Sequence, residues 1–198
     1  MKLIFATSNK GKLREAAEIL GPEYELLTPA DFGITEDIPE TGDTLMENSI
    51  QKAEYVYERT GMDCFADDTG LEVDALGGAP GVRSARYAGE GHDFNANIVK
   101  LLSELEKVGA DSPEQRTARF RCVVTLIRGG QKHFFDGRMD GHIALERAGE
   151  KGFGYDPVFV ADAFPGATMG ELGEEAKNAV SHRGNSLRAL RAWLEENK

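Results

Sequence analysis

The sequence has few cysteines, and this scarcity argues against a fold held together by disulfides. Its two cysteines, Cys64 and Cys122, lie in separate apolar stretches without a CxxC or Cys/His pattern. Isolated cysteines in apolar stretches are more often buried free thiols than disulfide partners or nucleophiles. A chain of 198 residues can bury about 70% of its unfolded surface. We therefore expect it to fold without a disulfide or a structural metal.

Long hydrophobic runs are also missing. No apolar stretch approaches the length that spans a bilayer, and the one that follows Met1 covers only about five residues. That stretch is shorter than the apolar region of a signal peptide. The sequence therefore predicts a cytoplasmic protein that has no membrane partner.

Basic residues are also fewer than acidic ones. The chain carries 23 Lys and Arg against 34 Asp and Glu, for a formal net charge of −11. Binding to a nucleic-acid polymer depends on neutralising many phosphates with Lys and Arg, so this balance argues against such a partner. A small phosphorylated ligand needs only a local basic cluster or a bound cation, and the composition is compatible with one.

Short apolar runs alternate with stretches of helical periodicity, and this alternation predicts an α/β fold with a mixed sheet. Strands are predicted at 2–7, 24–28, 63–67, 71–74, 119–128, 132–146 and 155–160, with a turn at Thr69-Gly70 and a hairpin around Gly129-Gly130. Helices are predicted at 13–20, 44–59, 94–108, 171–180 and 185–196, the second with Leu45, Ser49, Ala53 and Val56 facing inward. No repeat or linker divides the chain, so we expect one domain, or two lobes that share one sheet.

The segment TSNKGK at 7–12 joins the first predicted strand to the first predicted helix. A strand-to-helix turn presents free backbone N–H groups and the positive end of the helix dipole, which suits a phosphate. Lys10 and Lys12 could point towards such a ligand. The segment lacks the P-loop pattern, however, and by itself an N-cap at Ser8 or Asn9 with two solvated lysines explains it more simply.

Carboxylates gather in two places. Glu40 lies in the acidic loop EDIPETGDT at 36–44, and Asp67 and Asp68 end the predicted strand at 63–67. Adjacent carboxylates repel unless a cation or a hydrogen-bond donor offsets the repulsion. Glu40 with one aspartate would supply the one or two carboxylates that Mg²⁺ sites use, and the other aspartate could accept a proton from water. The alternatives are helix capping for the loop and a solvated turn for the pair.

Two later segments carry groups that suit a base and its phosphates. In GFGYDP at 152–157, Phe153 could stack on a flat heterocycle and Asp156 could accept from ring N–H groups, unless the aromatics enter the core. In KNAVSHRGNS at 177–186, Lys177, His182 and Arg183 could bind phosphate or base oxygens, although such a group is usually a surface feature. Together with the lysines and carboxylates, these groups supply what a nucleoside triphosphate needs.

These segments resemble the inosine triphosphate pyrophosphatase family. The resemblance rests on TSNKGK, ETGDTLMENSIQKA, FADDTGLEVDALGGAPGVRSARYAG, GFGYDPVF and KNAVSHRG, in that order and over essentially the whole chain. It implies an elongated, two-lobed α/β fold with a long mixed β-sheet flanked by helices and a nucleotide cleft between the lobes. Residues 1–198 would then form a single nucleoside triphosphate pyrophosphatase domain, which works as a homodimer and needs Mg²⁺.

The resemblance also implies roles for individual residues. It assigns Asp68 to catalysis as the proton acceptor and, with Glu40, to the metal, while Asp67 takes a supporting or second-metal role. It assigns substrate contacts to Thr7, Ser8, Asn9, Lys10, Gly11, Lys12, Thr69, Phe153, Gly154, Tyr155, Asp156, Lys177, His182 and Arg183. In this assignment the segment at 7–12 and the threonine beside the acidic pair bind phosphates. FGYD forms the base pocket, and Lys177, His182 and Arg183 bind the 6-oxo edge of the purine.

The implied reaction is Mg²⁺-dependent hydrolysis of ITP, dITP and XTP to the monophosphate and pyrophosphate, which clears them from the nucleotide pool. A pocket lined with donors would reject adenine, because adenine lacks the 6-oxo acceptor and leaves those donors unpaired. Two alternatives remain: a pyrophosphatase for modified pyrimidine or methylated nucleotides, and a regulatory module that binds a nucleotide without hydrolysis. The base pocket favours the purine hypothesis over the first, and the joint presence of Glu40 and Asp68 counts against the second.

Overall fold

The chain folds as a mixed α/β structure around one sheet. The structure, a computed structural model, describes residues 1–172 and 180–198. Within these ranges the strands are β1 (Lys2–Phe5), β2 (Glu25–Leu27), β3 (Cys64–Val73), β4 (Pro80–Gly81), β5 (Thr117–Arg128), β6 (Gln131–Ile143) and β7 (Phe159–Ala161). The α-helices described there are α1 (Lys10–Leu20), α2 (Leu45–Thr60), α3 (Phe94–Lys107) and α4 (His182–Glu196). None of these helices has the length and apolar character that crossing a membrane requires.

The sheet contains both parallel and antiparallel pairs. Its order is β2-β1-β3-β5-β6-β7, and β4 pairs with β3 outside this path. β1 runs parallel to β2 and β3, whereas β4 and β7 run antiparallel to β3 and β6. The predicted mixed sheet and the predicted hairpin are therefore confirmed. The hairpin turn uses Gly129 and Gly130, whose φ angles of 54° and 79° suit a two-residue connection.

The chain divides into two compact units. The first unit comprises Met1–Asp68, Cys122–Gly137 and Arg183–Lys198, and the second comprises Thr69–Arg121 and Arg138–His182. The long strands β3, β5 and β6 therefore contribute residues to both units. Each unit has its own buried apolar clusters.

Side-chain alternation along the strands gives the first unit a core on each face of its part of the sheet. On one face, Phe5 and Phe65 stack with ring centroids 4.4 Å apart and share a cluster with Leu20 of α1 and Leu190 of α4. On the other face, Ala66 packs in a cluster with residues of α2. Consecutive residues of β3 therefore lie against different helices.

The described residues of the second unit form one buried cluster, built by α3 and the strands. Leu101 of α3 lies in this cluster together with Ile143 and Phe159. β6 and β7 approach so closely that a Cβ atom on Gly141 would lie 2.1 Å from the Val160 carbonyl oxygen. Any side chain at position 141 would therefore disrupt the pairing of these strands.

The predicted turn at Thr69-Gly70 is wrong. β3 runs without interruption through these residues, so the acidic pair lies within a strand and not at its end. Thr69 is β-branched and favours an extended backbone, and Gly70 does not adopt the positive φ of a turn glycine. Beyond them, Leu71 is fully buried in the core of the second unit, which holds the strand in register.

Other predicted bounds change as well. The strand predicted at 155–160 is a short 3-10 helix, Asp156–Val158, followed by β7, because Pro157 has no N–H to donate to a ladder. The last helix begins at His182, ahead of the predicted start at residue 185. The helix predicted at 171–180 falls mostly on residues 173–179, which lie outside the described ranges.

Candidate active site

The segment at 7–12 forms the start of α1. Asn9 Oδ1 accepts hydrogen bonds from the Gly11 and Lys12 backbone N–H groups at 2.9 and 3.1 Å. Thr7 Oγ1 accepts from the Asn9 N–H at 3.1 Å. The N-cap offered above as the simpler interpretation is thus present. Lys12 is half-buried, and the exposed residues of the turn are Ser8, Asn9, Lys10 and Gly11.

Lys12 reaches from this helix to Asp67, which is only 2% exposed. Its ammonium lies 3.0 and 2.8 Å from the two carboxylate oxygens, and Arg183 Nε donates to the same carboxylate at 3.1 Å. Arg183 also donates to Glu15 of α1 at 3.0 Å. Burial alone would raise the pKa of Asp67, but the charges of Lys12 and Arg183 outweigh it and hold that pKa well below its usual range. Asp67 therefore stays ionised within a buried ion cluster.

Asp68 has a different set of partners, which lie on α2. Lys52 Nζ lies 3.3 Å from Asp68 Oδ1, and Asn48 Nδ2 donates to Asp68 Oδ2 at 3.2 Å. The same ammonium pairs with Glu40, so one cation bridges two carboxylates. Burial raises the pKa of Asp68; the charge of Lys52 opposes this and the charge of Glu40 adds to it. Asp68 is therefore more readily protonated than Asp67.

Strand geometry explains why these neighbouring carboxylates differ. Consecutive side chains of β3 point to opposite faces of the sheet. Asp67 lies on the face of Phe65 and contacts Lys12 of α1, whereas Asp68 lies on the face of Ala66 and contacts α2. The pair is therefore not one acidic patch, and separate cations offset its charge on each face.

The carboxylates of Glu40 and Asp68 are the predicted metal ligands, and their chemistry fits a hard cation. Both converge on a single positive charge, the Lys52 ammonium. Mg²⁺ prefers oxygen ligands and often uses one or two protein carboxylates with waters and phosphates. Residues 1–172 and 180–198 contain no group of three or more His, Cys, Asp or Glu placed to hold a metal. The donor set thus fits a cation that shares its coordination with a substrate, and not a closed protein cage.

The predicted base pocket lies in the second unit and carries an exposed aromatic ring. Phe153 is 64% exposed, and its backbone N–H donates to Asp156 Oδ2 at 2.9 Å. Gly152 is required beside it, because a Cβ atom there would lie 2.1 Å from the same carboxylate oxygen. Tyr155 is buried, and its hydroxyl donates to the Ser84 carbonyl at 2.8 Å. The structure therefore presents the Phe153 ring to solvent and places Tyr155 in the core.

The other residues predicted for substrate contact have distinct surroundings. The Thr69 hydroxyl is buried and has no hydrogen-bond partner within the described ranges. Gly154 is half-buried with a φ of 63°. The His182 ring stacks on Phe120 with centroids 5.2 Å apart. Lys177 belongs to residues 173–179, outside the described part of the chain. Because buried polar atoms are normally satisfied, the Thr69 hydroxyl is a candidate for a ligand contact.

Two residues of this arrangement were missed by the sequence analysis. Lys52 and Asn48 hold Asp68 and Glu40 in place, and both are buried on α2. They lie next to Ser49 and Ala53, two of the four inward-facing residues of α2 that the sequence predicted, all of which are buried. A lysine next to the apolar stripe of an amphipathic helix is the signal that could have found Lys52, because a buried ammonium needs a carboxylate partner.

Comparison with known proteins places this chain among a well-populated group. A family model described as the Ham1 family matches residues 3–193. The chain is 51% identical over 193 residues to a dITP/XTP pyrophosphatase of Porphyromonas gingivalis, with 98% of this chain and 97% of that protein covered. It is 48% identical over 194 residues to a dITP/XTP pyrophosphatase of Bacillus subtilis, with 97% and 96% covered.

Solved structures give the same result for the fold. The Ham1 protein of Staphylococcus aureus superimposes with a TM-score of 0.90 at 38% identity, and each chain is covered completely. A HAM1 protein of Coxiella burnetii gives a TM-score of 0.91 at 39% identity, with 99% of each chain covered. The predicted fold class, α/β with a mixed sheet flanked by helices, is therefore confirmed.

Proposed function

The chain belongs to the Ham1 family, and from this membership we propose that it hydrolyses dITP, XTP and ITP to the monophosphate and pyrophosphate. It is a hydrolase that acts on a phosphoanhydride bond of a non-standard purine nucleoside triphosphate. The predicted family is confirmed, since relatives named dITP/XTP pyrophosphatase match nearly the whole chain. These names also favour a purine substrate over the pyrimidine or methylated nucleotides of the alternative hypothesis.

The assignment of the reacting groups rests on the ion pairs around the two aspartates. In the first unit, Glu40 and Asp68 converge on the Lys52 ammonium on one face of β3, while Lys12 and Arg183 surround Asp67 on the other. A regulatory module that only binds a nucleotide has no need of two carboxylates that share one cation. Metal-assisted phosphoryl chemistry needs such a pair for the cation and the water.

We assign Mg²⁺ as the cofactor and Glu40 with Asp68 as its ligands. The bound cation would supply charge neutralisation for the phosphates and the leaving pyrophosphate. Lys52 neutralises both carboxylates in this structure, and its ammonium would also suit an oxygen of the triphosphate. Lys12 and the exposed start of α1 would bind the remaining phosphate oxygens.

Asp68 is assigned the proton transfer. Water attacks a phosphorus of the α–β anhydride, its proton passes to an Asp68 oxygen, and the bond to the bridging oxygen breaks with the electron pair leaving on the departing phosphate. Asn48 donates to one Asp68 oxygen and so orients the carboxylate. Asp67 acts indirectly, because its carboxylate holds Lys12 and Arg183 in place.

The second unit is assigned to the base. The exposed Phe153 ring suits stacking on a purine, and Asp156 holds the backbone of that residue. The Thr69 hydroxyl, which lacks a partner within the described residues, suits a phosphate oxygen. The family resemblance further assigns Lys177, His182 and Arg183 to the 6-oxo edge, although Arg183 contacts two carboxylates in this structure.

The wider setting follows from the same resemblance. We propose that residues 1–198 act as one pyrophosphatase domain, that the protein works as a homodimer and that it acts in the cytoplasm on the free nucleotide pool. The absence of a membrane-spanning helix from the described residues is compatible with this setting.

A nucleotide panel tests the proposed function. The pure protein is incubated with Mg²⁺ and, separately, with ITP, dITP, XTP, GTP, ATP and dUTP, and pyrophosphate and orthophosphate are measured. We expect pyrophosphate from ITP, dITP and XTP, much less from the others, and none without a divalent cation. Orthophosphate release without pyrophosphate, or equal rates for all six nucleotides, would contradict the proposal.

A further inference from the structure

The acidic loop at 36–44 lies along one side of α2. Its contacts with the helix involve a polar seam formed by Glu47, Asn48, Gln51, Lys52 and Tyr55. Positions three or four residues apart on a helix are neighbours on one face, so this seam follows successive turns of α2. The end of the loop meets the first turn of the helix and its beginning meets a later turn. The loop therefore runs back along the helix in the opposite direction.

Side chains of the seam bind the backbone of the loop at four consecutive residues. Gln51 Oε1 accepts from the Thr41 N–H at 2.8 Å. Asn48 Oδ1 accepts from the Gly42 N–H, also at 2.8 Å. Glu47 Oε2 accepts from the N–H groups of the next two residues at 2.8 and 2.9 Å. Because these bonds satisfy the backbone donors of the loop, the helix fixes the path of the loop.

The loop also lies too close to α2 to admit a side chain at position 42. A Cβ atom on Gly42 would lie 2.6 Å from the Glu47 Cβ atom and 3.0 Å from Asn48 Oδ1. Gly42 does not have a positive φ angle, so this close approach, and not the backbone conformation, is what requires glycine there. Any larger residue would push the loop away from the seam.

Gln51 holds the residue that directly follows Glu40. Its amide binds Thr41 twice, because Oε1 accepts from the backbone N–H and Nε2 donates to the hydroxyl at 3.0 Å. The Glu40 carboxylate in turn pairs with the ammonium that also meets Asp68. Among the described residues, Gln51 hydrogen-bonds Thr41 and neither carboxylate. It can therefore act on Glu40 through the backbone of the loop.

We infer that Gln51 is a positioning residue of the proposed metal site, where its hold on Thr41 sets the place of the Glu40 carboxylate relative to Asp68. This role rests on the proposed function, because it requires Glu40 to be a metal ligand. Asp68 is fixed by β3, whereas Glu40 depends on the loop for its place. A residue that orients a metal ligand contributes to metal affinity without touching the metal.

Mn²⁺ binding, followed by electron paramagnetic resonance, tests this role without turnover, because carboxylate sites for Mg²⁺ also accept Mn²⁺. Gln51→Ala should weaken Mn²⁺ binding by about tenfold. Gln51→Glu keeps an oxygen that can accept from the Thr41 N–H, so it should restore most of the affinity. Gln131→Ala, at an exposed position of β6, is the matched control and should bind Mn²⁺ as the wild type does.

Gly42→Ala displaces the loop by a different route. It leaves Gln51 in place but puts a methyl group against Glu47, so it should also weaken Mn²⁺ binding. Urea unfolding shows whether each variant is folded under the conditions of the titration. A residue that serves the fold alone would lower the free energy of unfolding and leave the Mn²⁺ affinity of the folded protein unchanged.

Turnover gives a second measure of the same role. In Gln51→Ala, the Mg²⁺ concentration that gives half-maximal pyrophosphate release from dITP should rise by about tenfold. The kcat at saturating Mg²⁺ should stay close to that of the wild type, because the groups assigned to the reaction are unchanged. A fall in kcat that Mg²⁺ does not restore would contradict a role through the metal ligand.

The outcomes separate this role from the proposed function. If the wild type binds Mn²⁺ and releases pyrophosphate from dITP, but Gln51→Ala keeps its Mn²⁺ affinity, the positioning role is overturned and the proposed function stands. If the wild type releases no pyrophosphate, the proposed function fails, and Mn²⁺ binding alone decides the positioning role. Weaker binding by Gln51→Ala with recovery in Gln51→Glu supports the role. Equal affinities, or no Mn²⁺ binding by the wild type, overturn it.

Discussion

Asp67 and Asp68 are covalent neighbours, yet the fold gives them opposite electrostatic environments. Asp67 is 2% exposed and lies between Lys12 and Arg183, whereas Asp68 is 13% exposed and shares the Lys52 ammonium with another carboxylate. Burial pushes the pKa of both groups upward. The two cations around Asp67 reverse that effect and lower its pKa, while Lys52 does not overcome it for Asp68, whose pKa is raised.

Strand register, and not adjacency in the sequence, therefore decides the role of each carboxylate. Asp67 is committed to balancing two cations, Lys12 and Arg183, of which Arg183 has Glu15 as a further counter-charge. Asp68 has only part of one cation, so a divalent ion or a water molecule can still gain from its oxygens. Substitutions of each carboxylate and of its cation partners separate these two roles.

Asp68→Asn should lower turnover of dITP and XTP by roughly two orders of magnitude or more, because the amide cannot accept the proton of the attacking water. Unfolding should be unaffected, since the amide keeps the shape of a group whose charge is disfavoured by burial. Pyrophosphate release and urea unfolding measure the two quantities. Asp162→Asn, at an exposed position outside both sites, is the matched control and should behave as the wild type. Near-normal turnover of Asp68→Asn would remove Asp68 from the mechanism.

Asp67→Asn should mainly lose stability. Removing the carboxylate leaves Lys12 and Arg183 without their shared counter-charge in a buried place, which costs about 3 kcal/mol of unfolding free energy. Urea unfolding at neutral pH measures this loss, and Asp68→Asn is the internal comparison. A stability equal to that of the wild type would show that the ion cluster around Asp67 does not support the fold.

Lys52→Gln should lower kcat/KM by about tenfold, because the substrate phosphates lose one cation from the site. The loss should shrink as the Mg²⁺ concentration rises, since the divalent ion can replace the missing charge beside Glu40 and Asp68. Lys107→Gln, an exposed lysine on α3, is the control. Unchanged kcat/KM at every Mg²⁺ concentration would exclude Lys52 from substrate binding.

Cys64 should make the fold slightly sensitive to alkali. Burial, with a smaller contribution from Asp63, raises the pKa of the Cys64 thiol from 9.0 to about 12. A thiol with a raised pKa in the folded state contributes stability that is complete below the unfolded pKa and is lost as pH rises towards the folded pKa. Unfolding free energy should therefore fall by about 1 kcal/mol more in the wild type than in Cys64→Ala between about pH 8 and about pH 10. Equal slopes for the two proteins would contradict this.

Local patterns were enough to predict much of the fold. The hairpin follows from two apolar runs around Gly129-Gly130, and the inward face of α2 follows from helical spacing. The turn at Thr69-Gly70 was predicted wrongly because glycine usually marks a turn, whereas here the strand continues to a buried Leu71.

The contacts within the candidate site could not be predicted, because they join distant parts of the chain. Arg183 and Asp67 are 116 residues apart in the sequence, and Lys12 and Asp67 are 55 apart. The residues around FADD do not show that its two aspartates face different helices. That conclusion depends on knowing that β3 continues without interruption beyond them. Residue types thus indicated which groups take part, and the register decided which groups meet.

Manganese binding tests the division between the two carboxylates most directly, because carboxylate sites for Mg²⁺ also accept Mn²⁺. Electron paramagnetic resonance follows free Mn²⁺ during titration of the wild type, Asp67→Asn and Asp68→Asn, without any turnover. We expect Asp68→Asn to weaken Mn²⁺ binding by about tenfold or more and Asp67→Asn to keep the affinity of the wild type. Equal weakening in both variants, or weakening in Asp67→Asn alone, would contradict it.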